Sequence, residues 1–148
     1  MSKKPIGVFD SGIGGTSILK ELVKLLPNED FIYVADSANA PYGEKSPQEI
    51  IKLCKEKVDF LLQKECKLIV VACNTATTNA IKELRSTYTI PFIGIEPAIK
   101  PAALNTKTNV IGILATKGTL NSALFSEKID LYSNTCLLYT SPSPRDRG

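Results

Sequence analysis

A thiol carried by an apolar run into a polar turn can serve as an acid, a base or a nucleophile, and residues 67–78, KLIVVACNTATT, hold Cys73 in such a place. Leu68, Ile69, Val70 and Val71 form a run too short for a helix and too apolar for a half-exposed strand, which predicts a central parallel strand. Asn74 and Thr75 follow, and either can cap a helix predicted to begin near Thr77. Cys73 then sits at the positive end of a helix dipole, where a thiol that ordinarily titrates near ~8.5 falls toward ~7 or lower. The arrangement recurs near the N-terminus, where PIGVF runs into Asp10, Ser11 and the glycines of DSGIGG. Two strand ends, one with a carboxylate and one with a thiol, predict an active site. Cys54 instead shares an apolar helix face with Ile50, Ile51, Val58 and Leu61 and is expected to pack as a small hydrophobe.

Composition narrows the chemistry. The chain has 148 residues with 43% hydrophobic content, enough for one substantial core. Its 18 basic and 15 acidic residues are spread along the helices, an ordinary solvated surface rather than a nucleic-acid patch. The four cysteines, Cys54, Cys66, Cys73 and Cys136, form no CxxC pair, and there is no histidine. That pattern argues against a zinc site and against a Cys-His hydrolase within this chain. The N-terminus enters a strand without a signal-like stretch, and no apolar run approaches the ~18 residues of a membrane span, so a cytoplasmic protein is expected.

The elements that must position these residues alternate. Strand-like runs at 6–9, 31–35, 68–72, 92–95 and 110–115 are separated by amphipathic helical stretches, predicting an α/β doubly wound parallel sheet. Ile18, Leu19, Leu22, Val23, Leu25 and Leu26 form one helical stripe, ended by Pro27 and Asn28. Ser46, Pro47 and Glu49 form a capping box opening a helix that runs to about Lys64. Ligands of such sheets bind beyond the carboxyl ends of the strands, here marked by Asp10 and Ser11, Asp36, Cys73 to Thr75, Glu96 and Thr116. Gly12, Gly14 and Gly15 open a helix, but Ser17 stands where a dinucleotide fingerprint needs glycine, and the Asp10 charge would face a pyrophosphate. The loop is better suited to a small anion held by helix N–H groups. Asp36 is the residue that best supports a nucleotide, but a plain turn residue is the simpler reading.

DSGIGG, the triplet Pro41, Tyr42, Gly43, the CNTAT segment from Cys73, PAIKPA from Pro97 and the TKGT turn from Thr116 to Thr119 together resemble the N-terminal half of the bacterial glutamate racemases, over about residues 5–130. The resemblance implies two similar α/β domains with flavodoxin-like strand order enclosing a glutamate substrate, and interconversion of L- and D-glutamate without a cofactor to supply peptidoglycan. Racemisation needs a base on one face of the α-carbon and an acid on the other. The family uses two cysteines, one per domain; Cys73 matches the first and Asp10 the carboxylate beside it. Ser11, Tyr42, Gly43, Asn74 and Thr75 match substrate-holding positions, with Thr116 and Thr119 as weaker matches. For Tyr42, aromatic packing beneath a loop remains the other reading. Glu96 receives no catalytic role. No metal, nucleic acid or membrane is implied, and a homodimer of the full-length enzyme stays open.

The second catalytic cysteine of the family, in a Cys-Thr-His type motif, has no counterpart; Cys136 is followed by Leu137 and Leu138. Beyond Asp130 the composition changes to serine, proline and arginine, and residues 131–148 are expected to form a non-native or disordered tail, LLYTSPSPRD resembling translated adapter sequence. The expected organisation is one domain over 1–130, with the second racemase domain missing. An amino-acid-binding module without turnover, a racemase of aspartate or another small acid, and a nucleotide-binding domain are the alternatives.

Overall fold

The computed structural model describes residues 3–134 and 136–142. The chain runs β1 (Ile6–Asp10), α1 (Thr16–Leu25), β2 (Phe31–Ala35), α2 (Pro47–Gln63), β3 (Leu68–Val71), α3 (Asn74–Thr87), β4 (Phe92–Gly94), α4 (Ile99–Asn105), β5 (Val110–Ala115), α5 (Lys117–Leu120), α6 (Ala123–Tyr132) and β6 (Leu137–Pro142). Two single turns of tighter helix, Ser37–Asn39 and Tyr42–Glu44, lie between β2 and α2. The first four strands form a parallel sheet in the order β2-β1-β3-β4, the expected flavodoxin-like start.

Successive residues of the central strands face opposite layers, which is why their sequences are apolar throughout. Phe9, Ile69 and Val71 pack beneath α2 and α3 with Ile50, Val58, Leu61, Ala80 and Leu84. Ile6, Val8, Val70 and Ala72 face α1 with Ile18, Leu19 and Leu22. Each large aliphatic side chain buried in this way contributes about 1.5–3 kcal/mol over leaving it exposed. Half of the expected capping box forms: the Ser46 hydroxyl accepts from the Glu49 N–H at 3.2 Å and Pro47 occupies the first helical position, while the Glu49 carboxylate pairs with Lys45 at 2.9 Å.

Two expectations need correction. The run at 110–115 is a strand, but it does not join the main sheet; β5 pairs in parallel with β6 in a separate two-stranded sheet. An apolar strand sequence specifies that it must be paired, not which neighbour it takes. Of the expected non-native or disordered tail after residue 130, the disordered reading does not hold for residues 137–142, which form β6 in register with β5, Val110 opposite Leu137 through Ala115 opposite Pro142. The expected tail residues 135 and 143–148 lie outside the described residues. Among the described residues no helix is long and apolar enough to cross a membrane.

Candidate active site

Strands β1 and β3 are direct neighbours, with Phe9 opposite Val71, so Asp10 and the segment that follows Val71 emerge side by side. They open into a cavity of about 470 Å³ lined by Asp10, Ser11, Tyr42, Gly43, Cys73, Asn74, Thr75, Thr116 and Thr119, among others. Every site residue expected from sequence therefore borders one cavity, at the carboxyl edge of the sheet.

Cys73 caps α3 itself. Its Sγ accepts from the Ala76 N–H at 3.4 Å and lies 3.3 Å from the Ser11 hydroxyl. The helix thus starts at Asn74, three residues earlier than expected, because the cysteine supplies the cap assigned to Asn74 or Thr75. The expected fall in the thiol's pKa is also corrected: burial pushes the Cys73 thiol up, the Asp10 charge adds to the rise, and the hydrogen bonds from Ser11 and Ala76 only partly oppose it. Desolvation wins because the sulfur is nearly enclosed, with 6% of the residue exposed, whereas the dipole acts through one amide.

Asp10 is held at one oxygen. Oδ2 accepts from the Gly15 N–H at 3.0 Å and the Gly12 N–H at 3.2 Å. No buried side-chain oxygen or nitrogen among the described residues lacks a partner, so Oδ1, with no protein donor, is reached by solvent from the cavity. The glycine loop's amides, expected to bind a ligand anion, are directed instead at the protein's own carboxylate. Glycine is required at position 15, since a Cβ there would come within 2.8 Å of Asp10 Cβ and 2.9 Å of Ala72 Cβ.

Tyr42 is packed in the core beneath its loop, and its hydroxyl donates to Asp36 Oδ2 at 2.6 Å. Of the two readings of Tyr42, its side chain follows the packing one while the residue still borders the cavity. Asp36 is more than a turn residue. It is buried and accepts from Tyr42, from Asn39 Nδ2 at 2.9 Å, and from Lys57 Nζ at 3.2 Å. Burial alone would raise its pKa, but these hydrogen bonds and the Lys57 charge hold the carboxyl below its ordinary value.

The opposite wall is a triangle of hydroxyls. Thr75 Oγ1 lies 2.7 Å from Thr116 Oγ1 and 3.1 Å from Thr119 Oγ1, and Thr116 donates to Thr119 at 3.1 Å. Thr116 also caps α5. Gly118 allows this approach, because a Cβ there would lie 3.0 Å from both the Gly43 carbonyl and Thr75 Cγ2. Asn74 is exposed at the cavity rim and forms no side-chain hydrogen bond among the described residues. Glu96, given no role, pairs with Lys128 at 3.1 Å. Cys54 is fully buried, its thiol pushed up first by desolvation and then by Cys73 and Asp36.

Tyr33 was not singled out from sequence. It reads there as an ordinary strand aromatic, yet its hydroxyl donates to the Gly12 carbonyl at 3.0 Å. Burial, then the charges of Asp10 and Cys73, raise its pKa. The available signal was parity: Tyr33 stands opposite Val8, two residues before the acidic strand end.

The sequence profile of the Asp/Glu/Hydantoin racemase family matches residues 6–138. A glutamate racemase of Stutzerimonas stutzeri is 50% identical over 141 residues, covering 95% of this chain and 53% of its own length. The crystal structure of Escherichia coli glutamate racemase in complex with L-glutamate and the activator UDP-MurNAc-ala superposes with a TM-score of 0.88 at 38% identity, covering 96% of this chain and 54% of that one. That of Francisella tularensis glutamate racemase in complex with D-glutamate gives 0.79 at 38% identity, covering 96% and 53%. The chain spans about half the length of the curated relatives it matches.

Proposed function

From a chain that belongs to the Asp/Glu/Hydantoin racemase family, we propose that these residues form one half of the active site of a glutamate racemase, a cofactor-independent isomerase that interconverts L- and D-glutamate in the cytoplasm and supplies D-glutamate for peptidoglycan. The observation that carries this reading is the placement of Cys73 beside Asp10 on neighbouring strands, facing one polar cavity.

The α-proton of an amino acid is weakly acidic, so a base must be held close and the developing charge met by fixed donors. Cys73 approaches one face of the α-carbon. Its thiol rests protonated because it is desolvated, which suits delivery of a proton to the product. To act as a base it must be deprotonated, and a substrate ammonium entering beside it favours the thiolate by direct charge attraction. Asp10 Oδ1, free toward the cavity, is placed to orient that ammonium or take the proton. Ser11, through its 3.3 Å contact with Sγ, holds the thiol in line. Asn74, Thr75, Thr116, Thr119 and the Tyr42–Gly43 backbone are the groups we assign to the carboxylates. The partner for the far face is the second cysteine that the resemblance implies.

The test is polarimetry of L-glutamate with the 148-residue chain alone and with the same chain joined to a racemase C-terminal half. We expect racemisation only in the joined protein, abolished there by Cys73→Ala. Turnover by the short chain would overturn the division of labour between two cysteines. A parallel melt with D-glutamate, D-aspartate and a nucleoside triphosphate separates the reading from its alternatives, since only a ligand that binds the folded state raises the transition.

A further inference from the structure

We propose that Tyr33 is a positioning residue for the Asp10 carboxylate, acting through the glycine loop, from which it holds the Gly12 carbonyl while the Gly12 and Gly15 amides hold Oδ2. Three hydrogen bonds make one connected device: Tyr33 hydroxyl to the Gly12 carbonyl at 3.0 Å, Gly12 N–H to Asp10 at 3.2 Å, and Gly15 N–H to Asp10 at 3.0 Å. Packing does not fix the loop at Gly12, since a Cβ there would meet nothing within 4 Å. Its peptide orientation is left to the hydrogen bonds on either side of the residue. The phenol reaches the loop from the α1 side of the sheet, where its ring packs beside Ile6, Val8, Val70 and Ala72. It does not line the cavity, so it touches the carboxylate's surroundings and not a ligand. The arrangement consumes one oxygen of Asp10 and leaves the other to the cavity. Without the phenol, the Gly12–Ile13 peptide that carries this carbonyl is free to turn, and the loop that brings the two amides to one oxygen loosens.

The inference rests on Asp10 being part of the proposed site, but its test needs no glutamate, so failure of one is distinguishable from failure of the other. Tyr33→Phe removes only the hydroxyl. In the 148-residue chain we expect the Gly12 and Gly15 amides to exchange with deuterium about tenfold faster in this variant, the effect of losing one hydrogen bond from a local opening equilibrium. A carboxylate stripped of its amide donors presents more negative charge to the neighbouring thiol, so alkylation of Cys73 by iodoacetamide at pH 8 should slow about two- to threefold. Cys66 labelling should not change. Tyr88→Phe, which removes a comparable surface contact to Asp59 at 2.7 Å, should alter none of these readouts. Unchanged exchange and labelling in Tyr33→Phe would overturn the proposal. So would wild-type Gly12 and Gly15 amides exchanging as fast as an exposed loop, a measurement that holds even if the variant does not fold.

Discussion

The four-stranded sheet and the β5–β6 pair are made of similar sequence, yet they are packed to different degrees. In the first, β1 and β3 are covered on both faces, and Val8, Phe9, Ile69 and Val71 are fully enclosed. In the second, one face bears Val110, Leu114 and Tyr139, with Leu114 64% and Tyr139 62% exposed. All-parallel sheets almost always have both faces covered, and the second sheet departs from that, with one side exposed. The cavity spans the boundary, with Asp10 and Cys73 on the well-packed side and Thr116 and Thr119 on the other. Asp10 and Cys73, to which we assign the proton transfers, therefore sit on the well-packed side, while the hydroxyl wall joins Thr75 of that side to Thr116 and Thr119 of the other.

The same chemical deletion in the two regions sharpens that contrast most. Leu84→Ala, in a fully buried position against α2, should lose about 3 kcal/mol in urea unfolding. Leu114→Ala should stay within about 0.5 kcal/mol. Equal losses would mean that β5–β6 is packed as tightly as the main sheet. Glycines give a second pair. A Cβ on Gly94 would come within 2.6 Å of Thr77 Cγ2, so Gly94→Ala should cost about 1–3 kcal/mol. Gly112 in β5 has nothing within 4 Å, and Gly112→Ala should be neutral or gain about 0.5 kcal/mol.

Acid unfolding should draw on the first region. Burial opposes ionisation of Asp36, but its hydrogen bonds and Lys57 win and lower its pKa in the folded state. A lowered carboxylate contributes stability that is fully present above the unfolded value, about 3.9, and is lost as pH falls through the folded value. Asp36→Asn should therefore flatten the stability curve below about pH 4 and leave its slope above pH 5 unchanged. A loss of slope confined to pH above 5 would refute the assignment. The smallest effect belongs to Lys82, whose pair with Glu127 at 2.7 Å ties α3 to α6 across the boundary. Both partners are mostly exposed, so Lys82→Ala should change stability by less than about 0.5 kcal/mol, vanishing in high salt.

Much of this was legible in residues. The β-branched runs before Asp10 and Cys73 announced buried parallel strands whose ends point to one edge, and that the two strands are neighbours followed from the flavodoxin-like order the resemblance implied. The pairing of β5 was not legible, because VIGILA would satisfy either sheet and only long-range contacts choose. The direction of the Cys73 shift was missed for a related reason: a helix start is visible in sequence, but the depth at which it is buried is not. Asp36 and Tyr33 were misjudged or passed over because a turn aspartate and a strand tyrosine look the same whether their polar atoms meet water or each other. The resemblance located Tyr42 and Gly43 at the cavity, but only the fold revealed that the phenol hydroxyl is spent on the buried Asp36.

The threonine triangle joining Thr75, Thr116 and Thr119 has three protons for its three oxygens, and each edge can be closed by one of them. Because Thr116 donates to Thr119, the ring closes in one sense, Thr119 to Thr75 and Thr75 to Thr116, with no hydroxyl proton left over. An anionic acceptor arriving at this wall breaks one edge, exchanging one hydrogen bond for another instead of adding one. Selectivity at the wall then comes from the direction in which a ligand's oxygens ask for protons, more than from the number of bonds it makes.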